Sequence, residues 1–271
     1  EASAACAIGG RLKVGERAAI AMDEETFPRD GGDGLLAFSH VNGKTEIRRT
    51  YAKNPLKFIS PTKNSNSASN VQRADTICAA WVYIIGYGGG LVSGDTLRVR
   101  ATVDAGATVV LTTQASTKVF QQRDGKFCEQ YMSATVGNGA LLVLVVDPVV
   151  PYAKSRFRQR QEFHLSGKGD AAAAKEGSMV LIDWFTSGRR ARGESWEFDH
   201  YENTNRIFLG GKLVLHDALR LSNTDGSLVS IKQRMEPFEC VAMVALVGER
   251  TRECAVRVRD AVKGRQSERI P

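Results

Sequence analysis

Residues 101–113 read ATVDAGATVVLTT, and residues 134–146 read ATVGNGALLVLVV, 33 positions later. Each begins with a strand-like run, turns through a glycine and continues as a more apolar run. Residues 163–185, FHLSGKGDAAAAKEGSMVLIDWF, form a looser third copy. A period near 33 with strands at fixed phase predicts stacked strand coils rather than a nucleotide-binding βαβ unit. V-x-x-G-A hairpins also recur in ordinary β proteins, so a plain hairpin protein stays open from this pattern. The sequence outside the copies carries similar signals. TLRVRATV, residues 96–103, alternates Leu97, Val99 and Ala101 against Arg98, Arg100 and Thr102. ECAVRVRDAV, residues 253–262, alternates Val256 and Val258 against Arg257 and Arg259. Period-2 alternation predicts half-buried strands at both places. Helical stripes are scarce, and the best helix candidate is DAAAAKE, residues 170–176, with Asp170 as N-cap. The expected fold is mainly β: a layered or helical, solenoid-like sheet structure with few short helices.

Composition bounds the function classes. The 271 residues suit one large domain or two small ones, and a 42% hydrophobic fraction can bury a sizeable core. The net charge of +7 favours acidic partners of any kind and does not choose among them. The five cysteines, Cys6, Cys78, Cys128, Cys240 and Cys254, are odd in number and form no C-x-x-C pair. A reducing, cytoplasmic compartment is therefore expected. The four histidines, His40, His164, His200 and His216, form no H-x-H or H-E-x-x-H pair, so spacing supports no tight zinc site. No apolar run approaches about 18 residues, and no membrane span is expected. Residues 23–34 and 61–70 read as loops, the second as PTKNSNSASN. The chain begins with Glu1 and ends in SERIP, and both ends read as fragment boundaries.

The most glycine-dense segment is GYGGGLVSGD, residues 86–95. Leu91 stands where a dinucleotide loop needs its third glycine, and no G-K-[ST] follows for phosphates. Ser93 sits in G-x-x-S-G rather than in a G-x-S-x-G nucleophile elbow. Gly88, Gly89 and Gly90 then serve a tight turn or close packing against another chain.

Residues 88–120, GGGLVSGDTLRVRATVDAGATVVLTTQASTKVF, resemble the signature of the urease accessory protein D family. That signature runs Gly-Gly-Leu-Val-x-Gly-Asp, a Gly-Ala hairpin, then Thr-Thr-Gln-x-x-x-Lys-Val. Further matches follow the family's order: NPLKF at residues 54–58, GALLVLVVDPVVPYAKSRF at residues 139–157, and SGRRARGE at residues 187–194. The resemblance covers residues 32–271 and leaves residues 1–31 as an unmatched extension. It implies a helix-poor layered β structure and a scaffold without enzymatic turnover. It also implies assembly with a UreF-like accessory protein, through it with a UreG-like GTPase, and docking on apo-urease to pass nickel to the buried active site.

Nickel in transit must be held weakly enough to leave. Imidazole and thiolate clusters hold it tightly, whereas carboxylates, hydroxyls and water release it more readily. The candidate passage residues are therefore acids beside turns and strand ends: Asp95, Asp147, Asp183 and Glu194. No tightly bound cofactor is expected. Arg189, Arg190 and Arg192 crowd one turn and form a candidate partner interface beside Gly88, Gly89 and Gly90. Arg156, Arg158 and Arg160 share one strand face, for docking or for solvation. Two other classes stay open. A basic nucleic-acid binder would interleave aromatics with the arginines, as Phe157 and Phe163 do in part. A hydrolase would join Ser93 or Asp95 to His200.

Overall fold

The structure, a computed structural model, describes residues 32–61, 79–168, 175–226 and 228–267. Most of the two loops expected at residues 23–34 and 61–70, and most of the helix expected at residues 170–176, lie outside the described residues; Lys175 and Glu176 are in coil.

Among the described residues sixteen strands build two sheets. They are β1 (Gly34–Val41), β2 (Lys44–Ala52), β3 (Leu56–Ile59), β4 (Ala80–Gly86), β5 (Gly90–Leu91), β6 (Thr96–Val103), β7 (Thr108–Thr112), β8 (Thr117–Val119), β9 (Cys128–Val136), β10 (Leu141–Val145), β11 (Val149–Pro151), β12 (Arg156–Leu165), β13 (Ser178–Thr186), β14 (His200–Leu209), β15 (Lys212–Ser222) and β16 (Cys240–Val247). The helices are α1 (Ile231–Met235) and α2 (Arg252–Ser267).

The first sheet runs β15-β14-β12-β9-β6-β1-β2, with parallel neighbours from β1 to β14 and an antiparallel hairpin at each edge. Ala101 pairs in register with Ala134, and Ala134 with Phe163. The three copies of the sequence repeat are thus three successive coils of a mixed, helix-poor solenoid.

In the second sheet β7 and β8 run on into each other across residues 113–116, and β10 and β11 across residues 146–148. β4 leads into β5 through a 3-10 turn at Tyr87–Gly89. β7 pairs β4 on one side and β10 on the other, while β8 pairs β5 and β11, all in parallel. Three adjacent strands therefore break at one level. β13 runs past the break, pairing β10 through Ile182 and β11 through Phe185, and β16, antiparallel to it, runs past the same level from Cys240 to Val247. The break line leaves backbone polar groups outside the ladder, and side chains satisfy some of them, as at Val146 and Asp147.

Side chains alternate as the pleat requires; β6 buries Leu97, Val99, Ala101 and Val103. The inward residues form two hydrophobic clusters. One holds Phe38, Leu142, Leu181, Phe163 and Ile207; the other holds Phe157, Phe185, Trp196, Tyr201 and Cys128.

One strand expectation is corrected. Residues 253–262 lie in α2, not in a strand. The Val/Arg alternation is too short to settle the period. Ala255 and Val262, seven apart, are the less exposed positions, and Ala, Arg, Glu and Lys are strong helix formers.

Candidate functional site

Between the two hydrophobic clusters the inward positions turn polar. On β12 Gln159 and Gln161 lie between Phe157 and Phe163; on β14 Asn203 and Asn205 lie between Tyr201 and Ile207. On β13 Asp183 lies between Leu181 and Phe185, level with the break line. Asp183 is 3% exposed. Its Oδ2 accepts N–H groups from Asn203 at 2.6 Å, Asn205 at 2.9 Å, Gln159 at 3.1 Å and Gln161 at 3.2 Å. Gln159 also donates to Oδ1 at 3.1 Å. Burying a carboxylate costs several kcal/mol unless a cation or many hydrogen bonds offset it. Here four neutral amides do so, and no cationic side chain contacts Asp183 among the described residues.

Two atoms on this belt lack partners: the Tyr201 hydroxyl and Asn205 Oδ1. Burial, and then the charge of Asp183, push the Tyr201 phenol well above its ordinary range, so it stays neutral. The belt is oxygen-rich. Rotating an amide by half a turn exchanges its N–H₂ for its carbonyl oxygen, which would face a cation instead of Asp183.

The other expected acids sit elsewhere. Asp147 lies on the break line. Its Oδ2 accepts from the Thr113 hydroxyl at 2.9 Å, and its N–H donates to that same oxygen at 2.8 Å. Beside it the Trp184 indole N–H donates to the Val146 carbonyl at 2.9 Å. Asp95 closes its own turn: Oδ2 accepts from Val92 N–H at 2.8 Å, and Asp95 N–H donates to the Val92 carbonyl at 2.9 Å. Glu194 is held by Arg189, whose Nε donates at 2.8 Å and whose second nitrogen also bonds the carboxylate. That bond, more than the further one from Ala153 N–H, holds the Glu194 carboxyl below its ordinary range. Among the described residues no three His, Cys, Asp or Glu side chains gather into a metal site.

The expected partner surfaces differ among themselves. Gly88 and Gly89 are exposed with φ of 78° and 71°, and a Cβ at either meets open space. Gly90 is extended, and a Cβ there would stand 2.6 Å from the Lys118 carbonyl oxygen. Its glycine is required by packing between β5 and β8. Arg189 closes the loop onto Glu194 and stacks 3.9 Å over the Tyr152 ring. Arg190 pairs with Glu239 at 3.1 Å, and Arg192 is exposed.

The hydrolase constellation is not assembled. Ser93 Oγ donates to the Arg123 carbonyl at 2.9 Å and accepts from Arg123 N–H at 2.8 Å, not from an imidazole. His200 faces Glu202 at 3.6 Å, and burial above all lowers its pKa.

A search for acids alone misses the four amides. Their signal is parity. FRQRQEF alternates arginine outward with glutamine inward, and YENTNRI places both asparagines on the face of Tyr201.

A family model described as UreD urease accessory protein matches residues 31–269. The chain is 37% identical over 246 residues to urease accessory protein D of Oryza sativa subsp. japonica, covering 91% of this chain and 74% of that protein. It is 36% identical over 238 residues to urease accessory protein D of Arabidopsis thaliana, covering 88% and 75%. It is 39% identical over 224 residues to urease accessory protein UreD of Sorangium cellulosum (strain So ce56), covering 83% and 64%. The family model spans both sheets, and these relatives match over most of the chain: the protein belongs to the urease accessory protein D family.

Proposed function

We propose that this urease accessory protein is a non-catalytic scaffold that assembles with UreF- and UreG-type proteins on apo-urease and helps nickel reach the urease active site, in the cytoplasm. The observation that carries the nickel role is the polar belt. A sandwich of this size has no stability reason to place a carboxylate between two hydrophobic clusters, since an apolar residue there would avoid the desolvation cost. A divalent cation in transit supplies a reason. Asp183 offers the charge, and the amides offer neutral oxygens that exchange readily. Asp147 and Thr113 offer a second oxygen pair at the break line. Asp95 and Glu194 contribute less, because one closes its turn and the other is neutralised by Arg189.

The nucleic-acid reading has weaker support. Arg156 and Arg158 lie 4.8 and 4.6 Å from the Phe127 ring centre, and Arg98 lies 5.5 Å from that of Tyr131. Glu129 and Glu202 pair with Arg158 on the same face. The rings are capped by the protein's own guanidinium groups, so they are not open stacking platforms. Reconstitution of apo-urease with the UreF- and UreG-type proteins, with and without this chain, tests the proposal through urease nickel content. Nickel must rise when the chain is present. Equal content in both samples rejects the role.

A further inference from the structure

The two sheets present opposite outer faces. The outer face of the first carries Arg98, Arg158, Arg160, Glu129 and Glu202. In the second, strands β4, β7, β10, β13 and β16 contain a single charged residue, Asp183, and it points inward. One outward row crosses five strands in register: Trp81, Val110, Val143, Val180 and Leu246. Trp81 is 47% exposed, and Val244, in the next row, is 52% exposed. With strands about 4.8 Å apart and about 3.3 Å per residue, this charge-free face measures about 20 by 17 Å. An apolar patch of that size is often functional.

The borders of the face are basic. Lys57 on β3 pairs opposite Ile85 at one side. At the other side β16 leads through a 3-10 turn carrying Glu249 and Arg250 into α2, whose exposed residues include Arg252, Arg257, Arg259 and Lys263 against Glu253 and Asp260. Val256 and Val258 on α2 are 46% and 42% exposed. A solitary helix whose side chains are this exposed gains little from packing and is stabilised when a partner covers it. A second copy of this chain would bring two basic borders together, whereas an acidic-bordered partner would be attracted.

We propose that the outer face of β4, β7, β10, β13 and β16, extended by α2, is the docking surface for a partner protein with an apolar centre and an acidic rim. The proposal rests on the scaffold reading and names the surface through which the scaffold holds its accessory partner. Apolar burial supplies the affinity, and the basic border sets orientation and association rate.

Hydrogen–deuterium exchange on this chain, alone and co-purified with the UreF-type protein of the same genome, tests it. Peptides over residues 141–145, 178–186, 240–247 and 252–264 gain protection in the complex. Val143→Lys and Val180→Lys, at outward positions, weaken the complex at least tenfold while the melting temperature of the chain holds. Three results overturn the proposal. In the first, the complex forms and urease gains nickel, but protection falls elsewhere; the scaffold role then stands and this surface does not. In the second, the face is protected in the isolated chain, either with concentration, which assigns it to a second copy, or without, which assigns it to another part of the same chain. In the third, no complex forms and urease nickel is unchanged by the chain, and the scaffold reading falls too.

Discussion

Asp95 and Asp183 are both aspartates flagged by position, yet their surroundings give them different tasks. Asp95 accepts the Val92 N–H within its own turn, as a turn aspartate does. An asparagine oxygen can accept the same bond. Asp95→Asn should therefore leave the melting temperature and delivered nickel near wild type, while Asp95→Ala loses about 1 kcal/mol of stability for the missing bond. Reduced nickel with Asp95→Asn in an intact complex would return this residue to the passage. Cys128 gives a second test at this scale. It is buried, and its Sγ contacts the Leu91 and Val92 carbonyl oxygens. Burial first, and then the charge of Asp95, push its thiol up from 9.0 to about 11. At pH 8 it stays a thiol and reacts slowly with a thiolate-selective reagent, while the exposed Cys254 reacts first. Between pH 9 and 11 the unfolded thiol ionises before the folded one, so the native state loses stability across that window. Cys128→Ser removes that part of the pH dependence, which urea melts at pH 8 and pH 10.5 can measure.

Among the elements, the repeat was the most legible feature, and the reason is periodic. A coil that stacks in register repeats its turn glycine and its apolar run at a fixed interval, so Ala101, Ala134 and Phe163 align in both sequence and space. The break line was not legible. Residues 113–116, TQAS, and 146–148, VDP, interrupt β7–β8 and β10–β11 without a distinctive pattern, and only the pairing shows that they lie side by side. Asp183 was found as an acid, but its amide neighbours come from two other strands, β12 and β14, which spacing along one strand does not bring together. α2 was misread because the Val/Arg alternation, Val256 to Arg259, is too short to distinguish two periods. The glycine turn was recognised as important, but the physical demand differs by position. Gly89 needs its left-handed φ; Gly90 needs empty space beside Lys118. Gly89→Ala therefore costs about 1 kcal/mol of backbone strain. Gly90→Ala forces β5 away from β8 and costs about 1–3 kcal/mol as overpacking. Thermal melts of the two variants order them, and a Gly89→Ala variant less stable than Gly90→Ala would refute the packing account.

At the scale of the molecule, the sandwich has two apolar cores with a polar layer between them, and two outer faces of opposite chemistry. The charged face of the first sheet is at home in water; the apolar face of the second is not. As proposed above, the buried carboxylate serves a cation in transit, and the charge-free face serves a partner. The central claim is that Asp183 and its amides serve nickel transit. Its most direct test is the nickel content of urease matured with the complete accessory complex carrying Asp183→Asn, alongside gel filtration and a thermal melt. The account predicts an assembled, folded complex that delivers several-fold less nickel. Wild-type nickel delivery by an assembled Asp183→Asn complex would contradict it.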